Sequence, residues 1–119
     1  MLPSINRIKK KKDFEVIFKG AQGASYSFKN NLFVLRAVKN NLELVRFGFV
    51  VSQKVSKKAV LRNKARRRLS EAATAELKNI KNGTDIVLIA LSGIEKKEFS
   101  EIKDSLSGAL AKTRLLTQK

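Results

Sequence analysis

The sequence predicts an α+β fold: an α-β sandwich with one sheet of about four strands covered by helices, in the order α-β-β-β-α-β-α. Three observations carry the prediction. Three strand-like stretches follow one another before residue 52. A long segment of helical period comes next, from about Ser56 to Lys78. The run Ile86-Val87-Leu88-Ile89-Ala90-Leu91 then supplies six apolar residues in a row, as in a strand buried on both faces. The 119 residues fit one small domain, 1–119, and a 43% apolar content is enough for a core. No repeat, low-complexity stretch or long linker divides the chain.

The elements can be taken in order. Residues 1–12 form a basic N-terminal segment, for which a solvated, disordered run over Lys9 to Lys12 is one alternative and a nucleic-acid contact the other. Residues 13–19 read as a short helix: Asp13 caps it, Phe14, Ile17 and Phe18 fall at i, i+3 and i+4, and Gly20 stops it. Strands are expected around 24–29, over 32–38 and over 43–51. Lys39-Asn40-Asn41 reads as a hairpin turn between the last two. In the 56–78 segment, Leu61, Ala65, Leu69, Ala72 and later Ile80 recur on one side, while Asn63, Arg66, Arg67 and Ser70 project to the other. Asn82-Gly83 closes it. A strand spans Thr84 to Leu91. A last helix covers roughly 98–115, with Phe99, Ile102, Leu106, Ala109 and Leu110 at helical spacing.

Composition narrows the function. Lys and Arg number 26 against 10 Asp and Glu, a net charge of +16, which points to a polyanionic partner. The chain has no Cys, which removes disulfides, thiolate metal sites and Cys nucleophiles. It has no His, the commonest general base and transition-metal ligand. No apolar run approaches the ~18 residues of a membrane span, and no secretory signal pattern follows the basic start. The expectation is a cytoplasmic protein.

The charge is uneven. Eight basic residues lie between Lys54 and Arg68 (Lys54, Lys57, Lys58, Arg62, Lys64, Arg66, Arg67 and Arg68) with no acid among them. Guanidinium groups bind phosphate oxygens bidentately, and Asn63 can donate and accept toward a base edge or ribose. A helix holds such groups at fixed spacing, which suits a folded RNA surface. Arg68 lies beside the apolar stripe and is equally suited to packing.

The stretch Phe47-Gly48-Phe49-Val50-Val51-Ser52-Gln53-Lys54-Val55-Ser56-Lys57-Lys58-Ala59-Val60-Leu61-Arg62-Asn63-Lys64-Ala65-Arg66-Arg67-Arg68-Leu69-Ser70-Glu71 resembles the signature of the bacterial ribonuclease P protein subunit. The resemblance extends to Arg7-Ile8-Lys9-Lys10, to Asp13-Phe14-Glu15 with Phe18-Lys19-Gly20, to Phe33-Val34-Leu35 and to Asp85-Ile86-Val87-Leu88-Ile89-Ala90. Three positions depart from it. The family's Arg-Asn-Arg is Arg62-Asn63-Lys64, a common Gly is Ser56, and Arg36 stands where the family usually has Tyr.

The resemblance implies a ribosomal-protein-S5-domain-2-like fold with a left-handed βαβ crossover. It implies a ribonucleoprotein endonuclease that removes the 5′ leader of precursor tRNA, with hydrolysis carried by the RNA subunit. Mg²⁺ would be bound mainly by that RNA and the substrate, and the protein would hold no catalytic residue and no metal of its own. It implies leader contacts at Phe14, Phe18, Phe33, Arg36, Arg62 and Asn63. Contacts with the RNA subunit would come from Lys54, Lys57, Lys58, Arg62, Asn63, Lys64, Arg66, Arg67 and Arg68. The partners would be the RNA subunit and precursor tRNA, with one protein per RNA and no membrane. Read without the resemblance, the same charge pattern fits a ribosomal-type RNA-binding domain or a nucleoid protein. A basic membrane-surface protein fits less well, because the apolar positions form a globular core.

Overall fold

The computed structural model describes residues 3–8, 25–40 and 42–113. Within them the first strand, β1 (Ser25–Lys29), pairs antiparallel with β2 (Phe33–Lys39). Asn30 closes this hairpin: its side-chain Oδ1 accepts from the Leu32 N–H at 2.8 Å and the Phe33 N–H at 2.9 Å. An Asn side chain that bonds the backbone just ahead of it mimics a backbone turn. Strand β3 (Val45–Val50) is followed by helix α1 (Ala59–Glu76), then β4 (Thr84–Ala90) and helix α2 (Phe99–Lys112). The expected helix over 13–19 and Lys9 to Lys12 lie outside the described residues.

The sheet order is β1-β2-β4-β3. Strand β4 lies antiparallel to β2 and parallel to β3. Lys39-Asn40-Asn41 is therefore not a hairpin turn, contrary to the sequence expectation. The apolar run of β4 requires cover on both faces and a strand on each side, so β4 takes the interior place and separates β2 from β3. The β2–β3 connection instead clasps the turn that enters β4. The Asn40 N–H donates to the Gly83 carbonyl at 2.8 Å, and the Gly83 N–H donates to the Leu44 carbonyl at 3.1 Å. Gly83 has φ +82°, and a Cβ there would meet the Leu42 carbonyl oxygen at 3.3 Å, so glycine fits this clasp best.

Both helices cover one face of the sheet. Ala65, Leu69, Ala72 and Ala73 of α1 and Ile102, Leu106, Ala109 and Leu110 of α2 pack on Phe33, Leu35, Ala37, Val45, Phe47, Ile86 and Leu88. The alanines let α1 approach closely. The opposite face carries a smaller cluster, Val38 and Val87 with Ile8, flanked by Val50 and Ile89. The described part of the N-terminal segment packs along the outer edge of β3. Ser4–Asn6 form a 3-10 turn, Ile8 is buried, and Arg7 bridges Phe47 along the outer edge of β3.

A polar clamp fastens the parallel strands on that opposite face. Arg46 grips Asp85 through both carboxylate oxygens, Nε to Oδ1 at 2.8 Å and Nη2 to Oδ2 at 2.6 Å. The Asn40 side-chain amide donates to the same Oδ1 at 2.6 Å.

Candidate nucleic-acid interface

Helix α1 presents two faces. Ala65, Leu69, Ala72 and Ala73 face the core, and Asn63, Arg66 and Arg67 are exposed. The helix starts at N-cap Lys58 without a side-chain cap bond and without an acid in its first turn. Its positive dipole end thus stands among Lys57, Lys58 and Arg62, and the repulsion goes uncompensated within the described residues.

The cations of this region fall into separate roles. Arg62 folds back on the turn before its helix, and its Nη1 donates to the Ser56 and Lys57 carbonyls, both at 3.0 Å. Ser56 assists there, its Oγ accepting from the Lys58 N–H at 3.1 Å, so the replacement of glycine by serine adds a bond to this turn. Arg68 is half-buried and its Nη1 donates to the Lys97 carbonyl, which ties α1 to the segment before α2. Lys54, Lys57 and Lys58 are exposed around the turn, and Lys64 is half-buried. The Lys54 carbonyl accepts from Ser92 Oγ at 2.6 Å. Arg66 and Arg67 make no internal hydrogen bond or ion pair among the described residues. Val60, 76% exposed, adds an apolar side chain to the same cationic surface.

The exposed side of α1 overhangs the outer edge of β3, and between them lies a groove of about 330 Å³. Asn63, Arg66, Arg67 and Ser70 form the helical wall, with Arg7 and Ile8 opposite, and Phe47, Gly48 and Phe49 beneath. The Phe47 and Phe49 rings are nearly parallel, 6° apart, with centroids at 6.0 Å. Sequence reasoning found Asn63, Arg66, Arg67 and Ser70 on one side of a helix. It did not single out Arg7, Ile8, Phe47, Gly48 or Phe49 as groove residues. The i, i+2 phenylalanines carry a period-two signal, but only the sheet order shows that they stand at an open edge.

Two predicted leader contacts take different places. Phe33 is fully buried beneath the helices and offers no face to a base, which corrects its assignment to the leader site. The even period of β2 sends Phe33, Leu35 and Ala37 to the helical side. Arg36, opposite Ser27 and Val87, falls on the other side with Val38. The two therefore cannot share one cleft. Phe14 and Phe18 lie outside the described residues. Among the described residues no group of three or more His, Cys, Asp or Glu could hold a metal ion, and Asp85 is committed to Arg46 and Asn40. These residues do not fit a metal site of the protein's own. No helix among them is long and apolar enough to cross a membrane.

A rigid helix with uncommitted guanidinium groups above an apolar-floored groove defines the class: an α+β domain with a polyanion-facing surface. Comparison with known proteins makes the class specific. The family model described as Ribonuclease P matches residues 2–114. The Ribonuclease P protein component of Clostridium botulinum (strain 657 / Type Ba4) is 38% identical over 108 residues, covering 90% of this chain and 93% of that protein. A structure of a Staphylococcus aureus RNase P protein mutant with defective mRNA degradation activity superposes with a TM-score of 0.82 at 31% identity, covering 95% of this chain and 91% of that one. The RNase P protein from Thermotoga maritima gives 0.76 at 30% identity, with 89% and 96% covered. The chain belongs to the ribonuclease P protein family. It is thus a protein component of an endoribonuclease ribonucleoprotein of tRNA processing, and its partner is an RNA.

Proposed function

We propose that this protein binds the catalytic RNA subunit of ribonuclease P through the exposed side of α1 and holds the 5′ leader of precursor tRNA, so assisting Mg²⁺-dependent removal of the leader. The observation that carries this reading is the set of uncommitted polar side chains, Asn63, Arg66 and Arg67, fixed on one helix beside the groove. Lys54, Lys57 and Lys58 extend the cationic surface along the preceding turn. Arg62 shapes that turn and keeps its remaining N–H groups for RNA. The leader contacts rest on the family resemblance at Phe14 and Phe18, since base stacking on aromatic rings tolerates any leader sequence. Chemistry requiring Mg²⁺ falls to the RNA and substrate. One protein acts per RNA, in the cytoplasm where tRNA matures.

The test is cleavage of a 5′-extended precursor tRNA at low Mg²⁺ by a bacterial ribonuclease P RNA, with and without the protein. Restored cleavage at the mature 5′ end, with no activity from the protein alone, is the expected result. Binding without stimulation would leave only a shared RNA-binding fold. The leader assignment is checked by the double substitution Phe14→Ala, Phe18→Ala. It weakens precursor tRNA binding by the holoenzyme while sparing mature tRNA, and equal loss for both substrates would remove the pair from the leader site.

A further inference from the structure

A second cationic hollow, of about 350 Å³, lies at the other end of the sheet from the Lys54 turn. Tyr26, Lys39, Lys81 and Asn82 line it, with the Gly83 clasp beside them. Lys39 of β2 stands opposite Thr84 of β4, and Tyr26 of β1 stands opposite Ala37 of β2. By the two-residue period, all four belong to the side of the sheet that the helices cover. The hollow opens past the end of α1, where Ile80 is buried and Lys81 is exposed.

The clasp fixes this corner. The Asn40 N–H donates to the Gly83 carbonyl at 2.8 Å, and Thr84 Oγ1 donates to the Lys81 carbonyl at 3.1 Å. The side chains of Tyr26, Lys39, Lys81 and Asn82 make no hydrogen bond or ion pair among the described residues. No acid lines the hollow. Asp85 is held by Arg46 and Asn40, and Glu43 lines a neighbouring hollow that shares only Asn82 with this one. Two ammonium groups attract one anion, and an amide can donate to it. The half-buried Tyr26 ring supplies an aromatic surface beside them. A nucleotide carries both complements, an anionic phosphate and a base that stacks. The volume lies at the small end of ligand sites, which admits one nucleotide and excludes a duplex.

The hollow is separate from the α1 surface. Strand β4 starts in it at Thr84, and just past the far end of β4 Ser92 donates to the Lys54 carbonyl. The seven residues of β4 set the two regions about 20 Å apart, at about 3.3 Å per residue. One nucleotide cannot occupy both.

We infer that this hollow holds one unpaired nucleotide of RNA, its phosphate between Lys39 and Lys81 with Asn82 donating, and its base against Tyr26. The inference uses the RNA partnership of the family and does not rest on the contacts proposed for α1. The nucleotide comes from the RNA subunit or from precursor tRNA, and the experiment separates these sources.

The full chain is titrated with a bacterial ribonuclease P RNA, and the assembled holoenzyme with precursor tRNA. The double substitution Lys39→Gln, Lys81→Gln should flatten the log–log salt slope of one of these two steps by about 0.7–0.9, for one phosphate no longer neutralised. The step that changes names the source. The charge-matched pair Lys78→Gln, Lys103→Gln, exposed and outside the hollow, should leave that slope unchanged. Equal flattening by both pairs, or by neither, overturns the site. Tyr26→Leu should lower affinity in the same step about tenfold, the loss of one stacked base, while the thermal midpoint holds. Unchanged affinity overturns the stacked nucleotide. Should the midpoint fall, Asn82→Glu at an exposed position sets a carboxylate beside the lysines and serves under the same criterion. The chain has no cysteine, so Asn82→Cys carries a photocrosslinker at a single site. Crosslinks are expected at one unpaired nucleotide of the RNA whose binding step changed, and crosslinks to paired nucleotides or to no RNA overturn the inference. If Arg66→Ala with Arg67→Ala weakens RNA binding while Lys39→Gln with Lys81→Gln does not, the hollow fails and the α1 reading stands. The reverse result removes the α1 reading and keeps the hollow.

Discussion

Arg46, Arg62 and Arg68 differ from Arg66 and Arg67 in what their guanidinium groups touch. The first three are bound inward: Arg46 to Asp85, Arg62 to the Ser56 and Lys57 carbonyls, and Arg68 to the Lys97 carbonyl. The other two stand exposed on the groove rim with no such bond among the described residues. Four of the five fall within seven consecutive positions of one helix. A basic run is therefore not one functional unit. Within it, Arg62 is committed to the turn that enters α1 and Arg68 to the segment before α2, while Arg66 and Arg67 face outward.

The sharpest way to break this division is Asp85→Ala. It leaves Arg46, only 19% exposed, without its carboxylate, and deprives Asn40 of an acceptor. Breaking such a pair costs about 3 kcal/mol, to be read as a lower midpoint in urea denaturation. A midpoint equal to wild type would show that the clamp contributes nothing to the sheet. Arg62→Ala comes next. It removes two charge-assisted bonds at a half-exposed site, for about 1 kcal/mol, and also loosens the turn bearing Lys54, Lys57 and Lys58. Arg62→Lys should recover RNA binding less well than its charge suggests, since lysine lacks the fork that spans both carbonyls. The double substitution Arg66→Ala, Arg67→Ala has the smallest effect on folding, within about 0.5 kcal/mol. Its effect appears in RNA binding, where the log–log salt slope flattens by about 0.7–0.9 for each phosphate that is no longer neutralised. A large fall in stability with an unchanged slope would reverse the assignment of these two arginines.

Much of the architecture was legible because it depends on local pattern. The strand over 32–38 appears as β2, the 56–78 segment as α1 and its 3-10 continuation, and the 98–115 segment as α2 through Lys112. The double-sided burial of β4 followed from six apolar residues in a row. The hairpin expected at Lys39-Asn40-Asn41 failed because a turn signal marks where a chain bends and does not name its next neighbour. Strand β4, more than forty residues downstream of β2, outcompeted β3 for the place beside it. Phe33 was misplaced for a related reason. Alternation separates Phe33 from Val34, but which side the helices cover is fixed by residues far along the chain.

Residue chemistry set the class of partner by itself. A charge of +16, the absence of His and Cys, and a helix with basic residues on a fixed pitch all follow from composition and period. These are sums and local repeats, and they survive without knowledge of the fold. Tertiary structure alone decided which cations remain available, because availability depends on whether a carbonyl or carboxylate from elsewhere lies within bonding distance. It alone also made the groove, by placing β3 at an edge with Ile8 alongside and α1 above. An edge exists only once the strand order is settled, and strand order is a competition among segments distant in sequence for the same backbone hydrogen bonds.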